Sequence, residues 1–237
     1  MPIRMPRSFP GACALAFSLA VASAGPAAAQ GFKFSQPDEA ANAANAENAA
    51  RQDRIAYELS TPCRADLKGK KIMVIIGEEQ GNGYINAVQQ NYGRHFQAIN
   101  VRLRSLGLRT FTPEEIRAQI AQAEIDAYFK NNPDAALSAA KRLGASFILR
   151  GLISSQASRN AMIPVNQVDV SMGFTLSGSN GRIISDVAAN SSSYAGANVA
   201  QMALTLVNEQ ADEVVARLYG DYCRNAGLTA GPGQKAK

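Results

Sequence analysis

The run Lys71-Ile72-Met73-Val74-Ile75-Ile76 constrains this chain more than any other segment. Five apolar residues in succession leave a strand no polar face, so both of its faces have to be covered. A sheet with helices packed on it meets that demand in a chain of this size. The pattern between residues 63 and 223 supplies the other parts.

After a polar, glycine-containing loop, Ile85, Val88, Tyr92, Phe96, Ile99, Leu103 and Leu106 recur at spacings of three and four, which predicts one face of a long amphipathic helix. Gly107 ends it, and Leu108 to Phe111 reads as a short strand. Thr112-Pro113-Glu114-Glu115 starts another helix: Thr112 caps, Pro113 suits the first helical position and Glu115 closes a capping box. Asn132-Pro133 begins a shorter helix that stops at Gly144. Residues 146 to 154 read as a strand. Val168, Val170, Met172, Phe174 and Leu176 alternate with small or polar residues, the signature of a half-buried strand. Asn180-Gly181 makes a hairpin turn, residues 182 to 191 return as a strand, and a helix over about 197 to 219 carries Val199, Met202, Leu206, Val214 and Leu218 inward. The expected fold is α/β, a single mixed sheet of about five strands in the order β-α-β-α-α-β-β-β-α, with helices packed on it. Helix-separated strands should pair in parallel, and the last three should form an antiparallel meander.

The flanks read differently. Arg4 and Arg7, the apolar stretch from Ala12 to Ala24, and Ala27-Ala28-Ala29 before Gln30 predict a cleaved secretory signal over residues 1–29. Cys13 precedes most of that apolar run and has no leucine three residues back, so it is expected to leave with the signal rather than carry a lipid. No later segment approaches the ~20 apolar residues of a stable span. Residues 30–62 form an Ala/Asn-rich stretch, a marginal helix or a tether, in which Ile55, Tyr57 and Leu59 are the group expected to dock. The domain is expected over 63–223 and a disordered tail over 224–237. The formal charge of +5 falls to +3 when Arg4 and Arg7 are removed. The basic residues are scattered, and no basic stripe with stacking aromatics suggests a nucleic-acid partner. Cys63 and Cys223, at the two edges of the domain, read as an intramolecular disulfide in an oxidising compartment, in preference to free thiols or an intermolecular bridge.

Chemistry is sparse. The loop Gly77 to Gly83 lies where phosphate loops lie, but it lacks a Lys-Ser/Thr ending and carries Glu78 and Glu79, which repel phosphate. His95 is the single histidine and is expected at a helix boundary or in solvent. No Gly-x-Ser-x-Gly elbow accompanies it, and without a second histidine no zinc site is expected. Glu114 and Glu115 are explained by helix capping, and Ser191-Ser192-Ser193 by the polar end of a strand. No catalytic residue, cofactor or metal is expected from these patterns.

The segment Ala139-Ala140-Lys141-Arg142-Leu143-Gly144-Ala145-Ser146-Phe147-Ile148-Leu149-Arg150-Gly151-Leu152-Ile153 carries a likeness. So does its sequel, an alternating strand, Gly178-Ser179-Asn180-Gly181-Arg182-Ile183-Ile184 and a long helix. Over residues 64 to 222 the chain resembles an envelope α/β domain superfamily. That superfamily includes the curli-secretion lipoprotein, the lipoprotein activators of penicillin-binding proteins, the flagellar assembly protein T middle domain and the Tol-Pal propeller protein's amino-terminal domain. The resemblance implies a non-enzymatic, periplasmic protein-binding or assembly module of the Gram-negative cell envelope. Its partners would be envelope proteins or further copies of the chain. It transfers no site residue, and the chain departs from the lipoprotein members in lacking a lipobox. Two other readings stand beside it. One is a small-ligand carrier using the 77–83 loop; the other is a hydrolase with a dispersed site around Glu78, Glu79 and His95.

Overall fold

Alternation along the strands sets the layers. In the computed structural model, which describes residues 37–79, 85–86, 93–130, 132–159, 165–195 and 198–225, the apolar run forms β1 (Lys71–Glu79), buried from Ile72 to Ile76. Its even residues Ile72, Val74 and Ile76 enter the larger core. Met73 and Ile75 point the other way into a smaller one. Beside it runs β4 (Phe147–Arg159), parallel and in register from Ile72↔Phe147 to Glu79↔Ser154. The antiparallel meander follows as β5 (Asn166–Gly178) and β6 (Ile183–Ala195). Two short strands, β2 (Ile85–Asn86) and β3 (Arg109–Thr110), lie on the far side of β1, the first antiparallel and the second parallel. The path is β2-β1-β4-β5-β6, with β3 also on β1. The expected mixed sheet, with its parallel and antiparallel portions, is the one observed.

Helices cover the faces unequally. On the larger face α3 (Arg94–Ser105) and α7 (Val199–Asn225) pack Phe96, Ile99, Leu103, Leu206, Val214 and Leu218 against β1, β4, β5 and β6. On the smaller face α4 (Pro113–Arg117), α5 (Gln122–Phe129) and α6 (Asp134–Leu143) reach Met73, Ile75 and Ile148, so they cover only β1 and the start of β4. This explains why β1 is apolar throughout and β5 only at alternate positions.

Gly151 is buried for a specific reason. A Cβ there would lie 2.4 Å from the Phe174 ring and 3.0 Å from Ile76, so the missing side chain makes room for the ring directly across the β4–β5 pair.

Several boundaries differ from the sequence reading. The long helix expected from Ile85 is described only from Arg94, Ile85 belongs to β2, and Val88 and Tyr92 lie outside the described residues. Gly93 stands at the N-cap, where a Cβ would lie 2.8 Å from a Glu78 carboxylate oxygen. The helix started by Thr112, whose capping box is present, is broken at 118–121. It restarts when the Glu124 carboxylate accepts the Ala121 N–H at 2.9 Å, a start that an alanine cap hides from sequence. The strand expected to end at 154 continues to Arg159, held by backbone pairing to β5 although its last five residues are exposed. The last helix starts beneath an Asn198 side-chain cap and runs to Asn225, two residues into the expected tail.

Contacts divide the chain into two compact units, 1–42 and 43–237. Residues 37–59 are helical, as α1 (Pro37–Leu59), with α2 (Arg64–Leu67) after it. Within the second unit, α1 docks by its last turns. Leu59 packs on the larger core, Arg54 pairs with Glu213 at 2.8 Å and Glu58 with Arg224 at 2.8 Å. Ile55 and Leu59, one turn apart, share the docking side, while Tyr57 is 73% exposed. The expected signal over 1–29 and most of the expected tail lie outside the described residues.

Candidate functional site

The sheet has two ends of different character. At the lower end β1 and β4 begin and α7 finishes; at the upper end β1 and β4 finish and α7 begins. Titratable and hydroxyl groups gather at the upper end.

Glu78, next to the end of β1, accepts a hydrogen bond from His95 Nδ1 at 3.0 Å. The imidazole is largely buried and the carboxylate about half exposed. That hydrogen bond, opposed by burial, holds the Glu78 carboxyl below its ordinary value of 4.5. His95 is thus a partnered side chain rather than a solvated one. Glu79 is the next residue along a strand and so projects to the opposite face. Two of the three residues suspected of dispersed chemistry are brought together, and the third is not. Glu114 pairs with Arg117 and Glu115 closes the cap, as the helix-start pattern predicts. Residues 80–84 of the glycine-containing loop lie outside the described residues. No group of three or more His, Cys, Asp or Glu able to hold a metal occurs among the described residues.

The same end of the sheet carries an open polar cleft of about 920 Å³. Its wall comes from α1 (Glu47, Arg51), from the strand ends (Gln156, Asp169, Ser193) and from α7 (Glu209). The Ser191–Ser193 run is indeed the end of β6, and it supplies part of the cleft floor.

The outer edge of β6 is the feature that sequence reading passed over. Among the described residues, β6 pairs with β5 alone. Two of its outward carbonyls are nevertheless occupied: Arg217 donates to Ala188 O at 3.2 Å and Asn225 to Ile184 O at 2.6 Å, both from α7. Backbone groups alternate sides along a strand, so those of Asn190, Ser192 and Tyr194 face the same way as Ala188. Among the described residues, α7 therefore caps the lower half of the edge and no hydrogen bond covers the upper half, next to the polar cleft. Tyr194 is 61% exposed there. Only contacts across 29 and 41 residues of sequence reveal this division, and no local pattern announces it.

A second unforeseen group is Arg150. Its guanidinium lies 5.7 and 5.4 Å from the Tyr128 and Phe129 ring centres and donates to Phe129 O at 3.2 Å, while its buried Nε–H has no partner. The rings offer the cation an electrostatic partner. Burial raises the Tyr128 hydroxyl's pKa, with the neighbouring Arg150 charge acting against it. This cluster braces the smaller face at β4.

No family model matches the chain, and no curated protein matches it. Among solved structures, it is similar to the hypothetical protein CT253 from Chlamydia trachomatis at 18% identity, covering 67% of this chain and 99% of that one with a TM-score of 0.45. It is also similar to lipoprotein GNA1162 from Neisseria meningitidis at 18% identity, covering 58% and 92%, TM-score 0.38. The LpoB C-terminal domain from Salmonella enterica stands at 18% identity, covering 61% and 96%, TM-score 0.38. The neighbours thus include lipoproteins, at a level of likeness that transfers no function to this chain. Among the described residues no helix is long and apolar enough to cross a membrane.

Proposed function

We propose that this chain is a non-enzymatic, periplasmic protein-binding or assembly module of the bacterial cell envelope, and that the upper half of the β6 edge is its contact strand. The observation that carries the reading is the asymmetric capping by Arg217 and Asn225, which stops short of Asn190. An uncapped edge offers a row of N–H and C=O groups that a partner's strand satisfies by adding to the sheet. Polar side chains at Asn190 and Ser192 keep that edge soluble when it is alone. The amino-terminal signal pattern supports an envelope location, where such a partner would be met.

The test is a photo-crosslinking residue at Tyr194 in the exported full chain, with and without Ser192→Pro. Proline removes the outward Ser192 N–H and leaves the β5 ladder untouched. Envelope adducts at position 194 should vanish with Ser192→Pro while the fold persists. Adducts that survive the proline would exclude the edge as the contact.

The hydrolase reading has one observation of its own, the carboxylate-oriented His95. His95→Ala decides it: loss of a hydrolytic activity with the fold retained would displace the binding reading.

A further inference from the structure

The lower end carries a different surface. Lys70, Lys141 and Arg182 come from the loop before β1, from α6 and from the turn between β5 and β6. They line one open cleft of about 690 Å³ with Ser146, Ser179 and Asn180. No Asp or Glu lines it among the described residues. Lys70 is half-buried; its ammonium donates to the Tyr222 hydroxyl at 2.9 Å and lies 5.7 and 5.5 Å from the Phe147 and Tyr222 ring centres. These neighbours are neutral, so they fix the cation without cancelling its charge. Among the described residues Lys141 and Arg182 enter no ion pair, whereas Arg54, Arg102, Arg109, Arg117 and Arg224 all do.

The scaffold holding these groups is preset. The Ser179 N–H donates to Ser146 O at 3.1 Å, Gly178 N–H to Arg182 O at 2.9 Å and Gly181 N–H to Gly178 O at 2.9 Å. Gly181 takes φ +85°, and a Cβ there would sit 3.3 Å from Leu137, so the turn is seated on α6. The carbonyls at the end of α6 would repel an anion, but Ala140 O and Lys141 O already accept from Ala145 N–H and Gly144 N–H.

We propose that this cleft binds a ligand carrying two phosphate groups, either free or as a lipid headgroup. Three cations spread over a cleft this wide exceed what one carboxylate can satisfy. Two ammonium point charges and one guanidinium fork match a pair of phosphates. The site lies at the opposite end from the β6 contact strand and does not depend on it. It is also remote from Glu78 and Glu79 at the far end of β1, which disfavour phosphate.

The experiment titrates the full mature chain with inorganic pyrophosphate by calorimetry. It also sediments the chain with phosphatidylcholine vesicles, with and without cardiolipin, which carries two phosphates. Lys141→Glu with Arg182→Glu changes only exposed side chains, and a melting curve checks the fold; Arg104→Glu on α3 is the control. Wild type and Arg104→Glu should bind, with the double variant weakened roughly tenfold or more and with affinity falling as salt rises. Binding to pyrophosphate identifies a free ligand, and binding to cardiolipin vesicles alone identifies a lipid headgroup. Binding of neither probe overturns the proposal. So does a double variant that binds like wild type, or a control that loses as much.

Discussion

At the lower end of the sheet the chain is fastened from several directions, whereas at the upper end β4 runs on for five exposed residues past its buried part. Below, Cys63 is bonded to Cys223 with Cα atoms 5.8 Å apart. The Tyr219 hydroxyl, which donates to Thr61 O, accepts the Cys63 N–H at 3.3 Å. There α7 also blocks the β6 edge. Above, the last five residues of β4 are exposed, as are Asn190 and Ser192 on β6. A domain fastened at one end can leave the other free for contacts without fraying, because local opening starts where few buried contacts resist it.

The largest effect should come from cutting the fastening. Cys63→Ala with Cys223→Ala opens a 160-residue loop, which the chain-entropy model values at roughly 5 kcal/mol. The urea midpoint should fall accordingly, and a shift under about 1 kcal/mol would mean that the lower end is held by packing alone.

The two sheet faces offer the next contrast. Gly151→Ala pushes a methyl into the fully buried Phe174 ring and should cost about 1–3 kcal/mol. Gly173→Ala meets nothing within 4 Å and should be neutral or stabilising by about 0.5 kcal/mol. Equal melting temperatures for the two variants would erase the distinction between the faces.

The edge itself is probed by two prolines one residue apart. Ser192→Pro should change stability by no more than about 0.5 kcal/mol, as surface changes do. Ser191→Pro strikes the N–H turned toward Val170 on β5 and should cost clearly more. The order of the two melting temperatures reads the direction of the edge directly.

The smallest effect belongs to Glu78. Because its carboxyl titrates below the ordinary 4.5 in the folded chain, its contribution is present above that value. It is lost as pH falls through the lowered one. Glu78→Gln should therefore leave melting at neutral pH lower by an amount within about 1 kcal/mol, as for a half-exposed pair. The two proteins should converge at acid pH, and divergence on acidification would contradict the assignment.

Much of this was legible in single segments. The double-sided burial of β1 followed from its unbroken apolar run, the pairing of β5 from alternation, and the α4 cap from Thr112 and Glu115. The helix expected from Ile85 is described only from Arg94, after Gly93, and a spacing of three and four cannot register that Ile85 itself pairs with β1. The overlong β4 was missed because a polar strand held by its ladder looks like a loop.

The sequence by itself determined most of the elements and the sheet's mixed character, since propensity, periodicity and caps act within a few residues. Tertiary structure alone decided that His95 meets Glu78, that α7 shields only half of β6, and that Lys70, Lys141 and Arg182 share a cleft. Those juxtapositions depend on strand order and register, which bring together residues 17 to 112 positions apart. Nothing local in the chain encodes a distance of that kind.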